Sequence, residues 1–195
     1  MSAASPPTAA RKPSARDRLL AAADELFYAE GVHTVGIDRV IAHAGVAKAS
    51  LYSSFGSKDG LIRAYLQGRH QRRRERLLAG LERYDNPRDR LLGVFDVLAE
   101  LAAAPSFRGC AFYNASAESP AEGVVQQVCD ESRAWTRSLL TDLAREAGAR
   151  DPQALAAQLV ILYDGSSVGA RMDRTADAAV TSRAVAAALL DAATA

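Results

Sequence analysis

Residues 34–61 read TVGIDRVIAHAGVAKASLYSSFGSKDGL, and the spacing of apolar residues inside this stretch decides the fold. Ile37, Val40 and Ile41 recur at helical spacing, Ala44-Gly45-Val46 supplies a helix stop followed by an apolar anchor, and Leu51, Tyr52 and Phe55 resume the period. Gly45 permits the backbone turn that sets one short helix across the next. Two short helices around a Gly turn make a helix-turn-helix, whose second helix fits the major groove of DNA.

The surrounding composition narrows the alternatives. Of 195 residues, 49% are hydrophobic and 24% charged, an ordinary globular balance that supports a full core. No apolar run approaches the roughly 18 residues of a membrane span, and the start, MSAASPPTAARKPSAR, lacks the apolar middle of a signal peptide. The expected location is the cytoplasm, without a membrane partner. Cys110 and Cys129 are the only cysteines, without zinc-ligand spacing, and read as buried free thiols, with redox sensing as the other reading. Net charge is +1, but residues 1–83 hold 14 Lys and Arg against 8 Asp and Glu, and residues 84–195 hold 10 against 15. The basic part coincides with the helix-turn-helix and points to a polyanion partner, while the acidic remainder points to dimerisation or sensing.

The whole chain reads as all-α, about nine helices with no convincing strand. Residues 1–13, rich in Ala, Ser and Pro, form a disordered basic arm, in which Arg11 and Lys12, with Arg16 beyond, reach toward the DNA backbone or minor groove. Ser14 and Asp17 make a capping box ahead of a helix buried through Leu19, Ala23, Leu26 and Phe27 and ended by Gly31. Helices over about 37–44 and 48–55 follow, and Ser57 caps a long fourth helix in which Arg72-Arg73-Arg74 reads as a solvated face. Asn86-Pro87 opens the next helix, with Leu91, Phe95, Leu98 and Ala102 facing the core before Pro105. A short piece over 110–118 precedes a second capping box, Ser119-Pro120-Ala121-Glu122, and a long helix whose Val125, Val128, Ser132, Trp135, Leu139 and Leu143 share one side. Gly148 closes it, Asp151-Pro152 starts another, and the last runs from about 174 to 193. Residues 14–65 thus form a DNA-binding domain and 66–195 a helical second domain.

Within the motif, Val46, Leu51 and Phe55 read as core. Lys48, Ala49, Ser50, Tyr52, Ser53 and Ser54 form an exposed, small and polar face suited to base edges and phosphates. Thr34 is either a helix cap or a phosphate ligand. Lys58, in the first turn of a helix where a cation is unfavourable, joins the free N–H groups behind Ser57 as a phosphate seat, or is an ordinary exposed lysine.

GIDRVIAHAGVAKASLYSSFGSKDGLI, residues 36–62, resembles the DNA-binding signature of the tetracycline-repressor (TetR) family of bacterial transcription regulators, with the match running from about Ser14 to Tyr65. The resemblance implies a homodimer that binds a palindromic operator in double-stranded DNA, commonly as a repressor, and releases it on binding a small-molecule effector. It also implies phosphate contacts at Thr34, Lys48, Tyr52 and Lys58. Ala47 departs from a frequent Ser or Thr, Ala49 from Gly and Ser54 from His, which leaves the operator sequence open. RGCAFYNASAE (108–118) and LYDGSSVGAR (162–171) look like segments seen in many regulators of the family. The small residues Gly165, Ser166, Ser167, Gly169 and Ala170, and Ala184, Ala186, Ala187 and Ala188, form either a four-helix dimer interface or a seam within one subunit.

An effector cavity would draw on Phe95, Phe112, Tyr113, Trp135 and Tyr163, with Asn114 as polar anchor, although each also serves as plain core. With few charges in that set, the expected effector is not strongly ionic. No cofactor, metal site or catalysis is expected. His33, His43 and His70 are the only histidines, none has a His partner one turn away, and no nucleophile elbow or phosphate loop is present. The rival to a DNA-binding regulator is a small-molecule-binding protein that keeps the helix-turn-helix only as scaffold.

Overall fold

The computed structural model describes residues 13–195, so the proposed basic arm with Arg11 and Lys12 lies outside the described residues. These form nine helices: α1 (Ala15–Glu30), α2 (Ile37–Ala44), α3 (Lys48–Phe55), α4 (Lys58–Leu81), α5 (Pro87–Ala102), α6 (Ala111–Glu118), α7 (Val124–Glu146), α8 (Pro152–Asp173) and α9 (Asp177–Thr194). No strand interrupts them among the described residues. Four helix starts follow from side-chain caps. Ser14 and Asp17 close the reciprocal box on α1, and Ser57, Asn86 and Asp151 accept the N–H of Gly60, Asp89 and Ala154 on α4, α5 and α8.

Two helix starts differ from expectation. Ser119 does not cap α7; it ends α6, and its hydroxyl donates back to Ala115 O at 2.7 Å. α7 begins only at Val124, after Gly123 at φ 126°. A Ser-Pro box needs its hydroxyl facing forward along the chain, and here the preceding helix has taken it. The last helix starts at Asp177 because Arg174, at φ 59°, closes α8 in the left-handed conformation. On α7 the buried face carries Thr136 and Leu140 in place of Trp135 and Leu139, which are half-buried at its edge.

Two apolar clusters hold the molecule, and α4 belongs to both. Its first turns put Leu61, Ile62, Tyr65 and Leu66 against Leu19, Phe27, Val40 and Leu51 of the first three helices, with Phe112, Ala115 and Val128 closing that cluster from α6 and α7. Its last turns put Leu77 and Leu81 against Phe95 of α5, Leu140 of α7, Leu159 of α8 and Leu190 of α9. The expected domain boundary at 65/66 falls inside this continuous helix. α8 and α9 pack closely: a Cβ at Gly169 would stand 2.8 Å from that of Ala178. Ser166, Ser167, Ala170 and Ala186 are buried in the subunit, so these small residues serve the internal seam. The open face of the pair is larger and apolar, with Ile161 71% and Met172 74% exposed, joined by Val168, Val180 and Val185.

Phe95, expected at an effector cavity, is fully buried in the second cluster. Phe95→Ala should cost about 3–5 kcal/mol of stability. Equilibrium urea unfolding measures this as a lower midpoint at unchanged slope.

Candidate nucleic-acid interface and effector cavity

The turn between α2 and α3 is fixed by backbone chemistry and one long-range bond. Gly45 adopts φ 61°, ψ 45°, its N–H bonding Ala42 O at 3.2 Å while that of Val46 reaches Ile41 O at 3.3 Å, a paired closure of the helix end. Arg18 of α1 donates to Gly45 O at 3.1 Å and ties the turn down. Leu51 is fully buried behind α3, while Val46 and Phe55 are partly buried and the Arg16 guanidinium lies 5.2 Å from the Phe55 ring. Lys48, Ala49, Tyr52 and Ser53 are thereby left exposed, with Ser50 and Ser54 half-exposed. Ala47 is the N-cap of α3 and provides no side-chain bond. At Gly60 the first turn of α4 passes so close to α3 that a Cβ would lie 2.0 Å from Phe55 O.

Three sequence-assigned residues lie at the edges of this face. Thr34 is exposed in the loop before α2, whose N-cap is Gly36, so its hydroxyl does not cap that helix. Lys58 donates to His33 O at 3.3 Å. Lys48 pairs with Asp38 at 2.9 Å, and that hydrogen-bonded carboxylate raises the pKa of its ammonium. The loop bearing His33 is also held from the other half: its N–H donates to Glu118 at 3.1 Å and its ring meets the Ser119 hydroxyl at 3.0 Å.

The second feature is a pair of cavities between the two apolar clusters, about 160 Å³ and 350 Å³, both lined by Arg73, Cys110 and Phe112. The smaller lies between α1, α4, α5, α6 and α8, and its charged lining is Arg69, Arg72, Arg73 and Arg76, with no acidic residue. Asp24 of α1, beside it, binds Arg69 at 2.7 Å and Arg72 at 2.5 Å. Arg73 has no carboxylate partner among the described residues: one Nη donates to Ser132 O, Ser132 Oγ and Thr136 Oγ1 at 3.2, 2.9 and 2.7 Å, and its Nε is buried without any acceptor among them. In the larger cavity Arg133 pairs with Asp164 at 2.6 Å and Asp130 accepts from Gln126 at 2.7 Å.

Of the residues expected at an effector site, Phe112 lines both cavities, Tyr163 the smaller and Tyr113 the larger. Phe95 sits in the core, Asn114 turns to Arg108 O at 3.0 Å, and Trp135 lines neither cavity. The arginines were missed because a consecutive Arg run looks solvated. The signal lay in the spacing of 69, 72, 73 and 76, one face of a helix. The expectation of an effector without strong charge rests on a residue set that does not include these four arginines. Residues 14–65 hold 6 Lys and Arg and 6 Asp and Glu, whereas residues 69–83 hold 6 Arg and 2 Glu. Much of the basic excess therefore belongs to the cavity helix. Burial pushes the Cys129 thiol up to about 11, so at neutral pH it is protonated and a poor nucleophile.

An exposed helix-turn-helix on a larger all-helical body defines the class: DNA-binding transcription regulators. Residues 19–65 match the family model described as bacterial regulatory proteins, tetR family. The chain is 34% identical to a TetR-family transcriptional regulator from Streptomyces coelicolor, with a TM-score of 0.88 over 93% of this chain and 90% of that one. A TetR transcriptional regulator from Chloroflexus aurantiacus shares the fold at 24% identity and a TM-score of 0.79, over 91% of this chain and 94% of its own. A segment of 52 residues, 27% of this chain, is 46% identical to the HTH-type transcriptional activator FasR of Mycolicibacterium smegmatis, spanning 24% of that protein. The chain belongs to the TetR family of bacterial transcriptional regulators.

Beside Arg73, His70 shares the Ser132 hydroxyl at 3.2 Å; burial, then the Arg73 and Arg74 charges, lower its pKa from the usual 6.5, against an opposing Glu131. Protonation therefore favours the unfolded chain, so this contribution to stability is lost as pH falls below about 6.5 and levels off below the folded value. Urea midpoints measured from about pH 8 to pH 5 should fall less steeply in His70→Gln than in the wild type.

Proposed function

We propose that the protein is a cytoplasmic, non-enzymatic, ligand-responsive repressor. In this reading residues 14–65 bind DNA and residues 66–195 bind the effector and dimerise. The homodimer seats α3 of each protomer in successive major grooves of a palindromic operator, about 34–36 Å apart. A small molecule entering between α4 and α8 changes that spacing and releases the DNA.

The observation that carries this reading is the α3 surface: Leu51 and the Gly45 turn lock the helix from behind, while Lys48, Ala49, Ser50, Tyr52, Ser53 and Ser54 face outward beside Thr34 and Lys58. A scaffold has no use for that face. The exposed apolar surface of Ile161, Val168 and Met172 on α8, continued by Val180 and Val185 on α9, supports dimerisation through these two helices. No helix among the described residues is long and apolar enough to cross a membrane.

Selection of bound fragments from the source genome supplies the operator and tests DNA binding directly. A reporter on the recovered promoter separates repression from activation. On that operator Lys58→Ala, which removes one phosphate contact from each protomer, should weaken binding to specific and non-specific DNA alike and reduce the slope of log affinity against log salt by about 2. Wild-type binding by this variant rejects the assigned docking. Ile161→Glu combined with Met172→Glu should sediment as a monomer and lose operator affinity, whereas an intact dimer moves the interface elsewhere.

A further inference from the structure

The smaller cavity carries more positive charge than the protein neutralises. Its lining places four arginines on one face of α4, and among the described residues only Arg69 and Arg72 have a counter-ion, the shared carboxylate of Asp24. Arg76 has no hydrogen-bond or ion-pair partner among the described residues. Arg73 reaches neutral oxygens through one Nη, its Nε is buried without an acceptor, and its guanidinium lies 5.0 Å from the Phe112 ring and 5.8 Å from that of Trp135. A partly desolvated guanidinium without a carboxylate is costly, and its planar donor fork suits an incoming acid group. The rest of the lining is largely apolar, with Leu98, Leu101, Phe107, Phe112 and Tyr163.

We propose that the effector is an anionic amphiphile, a carboxylic acid with an apolar body. Its head group binds Arg73 and Arg76, and its body lies against the Leu98, Leu101, Phe107 and Phe112 wall. The inference rests on the reading of this cavity as the effector site and names the ligand class. It also supplies a route to the DNA-binding helices. Arg69 and Arg72, one turn away on the same face of α4, grip Asp24 of α1, so a second carboxylate on this face competes with Asp24 for them.

Trp135, the single tryptophan, stands within 6 Å of Arg73 and Arg74 and serves as reporter. Titrating the full-length protein with octanoate should shift Trp135 emission and raise the melting temperature, whereas octanol and acetate at equal concentration should not. Arg73→Gln should weaken octanoate binding at least about tenfold, with Arg73→Lys recovering part of the loss. Arg76→Gln, at an exposed position that tolerates change, should weaken it less. Octanol binding as tightly as octanoate, or unaltered octanoate binding by both Gln variants, overturns the anionic head group while leaving effector response standing. No response to any of the three probes likewise overturns the anionic amphiphile and leaves effector response to another ligand class standing. Octanoate binding that depends on Arg73 yet leaves operator affinity unchanged keeps the acid site and rejects release of DNA through it.

Discussion

One helix has to satisfy two cores. α4 is 24 residues long, about 36 Å at the rise of an α-helix, and its buried apolar residues come in two groups, Leu61 to Leu66 and Leu77 to Leu81. Between them the sequence is QGRHQRRRER, with no apolar residue for either cluster. The first core therefore cannot continue along α4 into the second. The gap is walled by α6 and by the inner side of α5 and α8, and the cavities occupy it. The arginines are soluble where they meet water and only partly paired where they do not, so the same interruption that separates the cores makes the gap cationic.

From this midpoint two physical paths lead to the DNA-binding face. The first runs through Asp24, which accepts from Arg69 and Arg72 while the Arg69 guanidinium lies 3.7 Å from the Tyr28 ring. α1 carries that anchor in its middle and Arg18 near its start, where it holds Gly45 O. The α2–α3 turn is thus tied to the helix that the arginines grip. The second path runs through α6, whose Phe112 touches the cavity and whose last residue, Glu118, accepts from His33 N–H. His33 O in turn accepts from Lys58. Removing Asp24 would leave two guanidiniums without a counter-ion, a larger loss than the modest gain of an exposed ion pair such as that between Lys48 and Asp38.

The legible parts of the sequence were those decided within a few residues. Ser14, Ser57, Asn86 and Asp151 each bond an N–H three positions on, so the local pattern was sufficient. Gly45 and Leu51 were legible for the same reason: a left-handed turn and a helical period need no partner to be recognised. What escaped was decided at long range. Whether Ser119 looks forward to α7 or back to α6 depends on Ala115 and His33, the second of them 86 residues away. Arg73 points inward because Ser132 and Thr136 stand opposite it on α7. Small residues on α8 and α9 suit any close helix contact, and only the packed subunit shows that Ser166, Ala170 and Ala186 are spent internally.

The charge pattern carries a similar lesson about attribution. A basic first part beside a helix-turn-helix looks like a DNA footprint, but residues 14–65 carry six Lys and Arg and six Asp and Glu, with no net excess. Two of those cations are ion-paired, Arg39 with Glu30 and Lys48 with Asp38, while Arg18 and Lys58 donate to backbone carbonyls. The two ion pairs are exposed and screened by solvent, so a phosphate can replace the carboxylate at little cost. A face built this way attracts DNA weakly at a distance and depends on shape, small side chains and helix N-termini at close range. Uncompensated charge also lies on the middle of α4, where half-buried Arg73 and exposed Arg76 have no anion among the described residues. Electrostatics in this chain therefore speaks more directly to the cavity than to the groove.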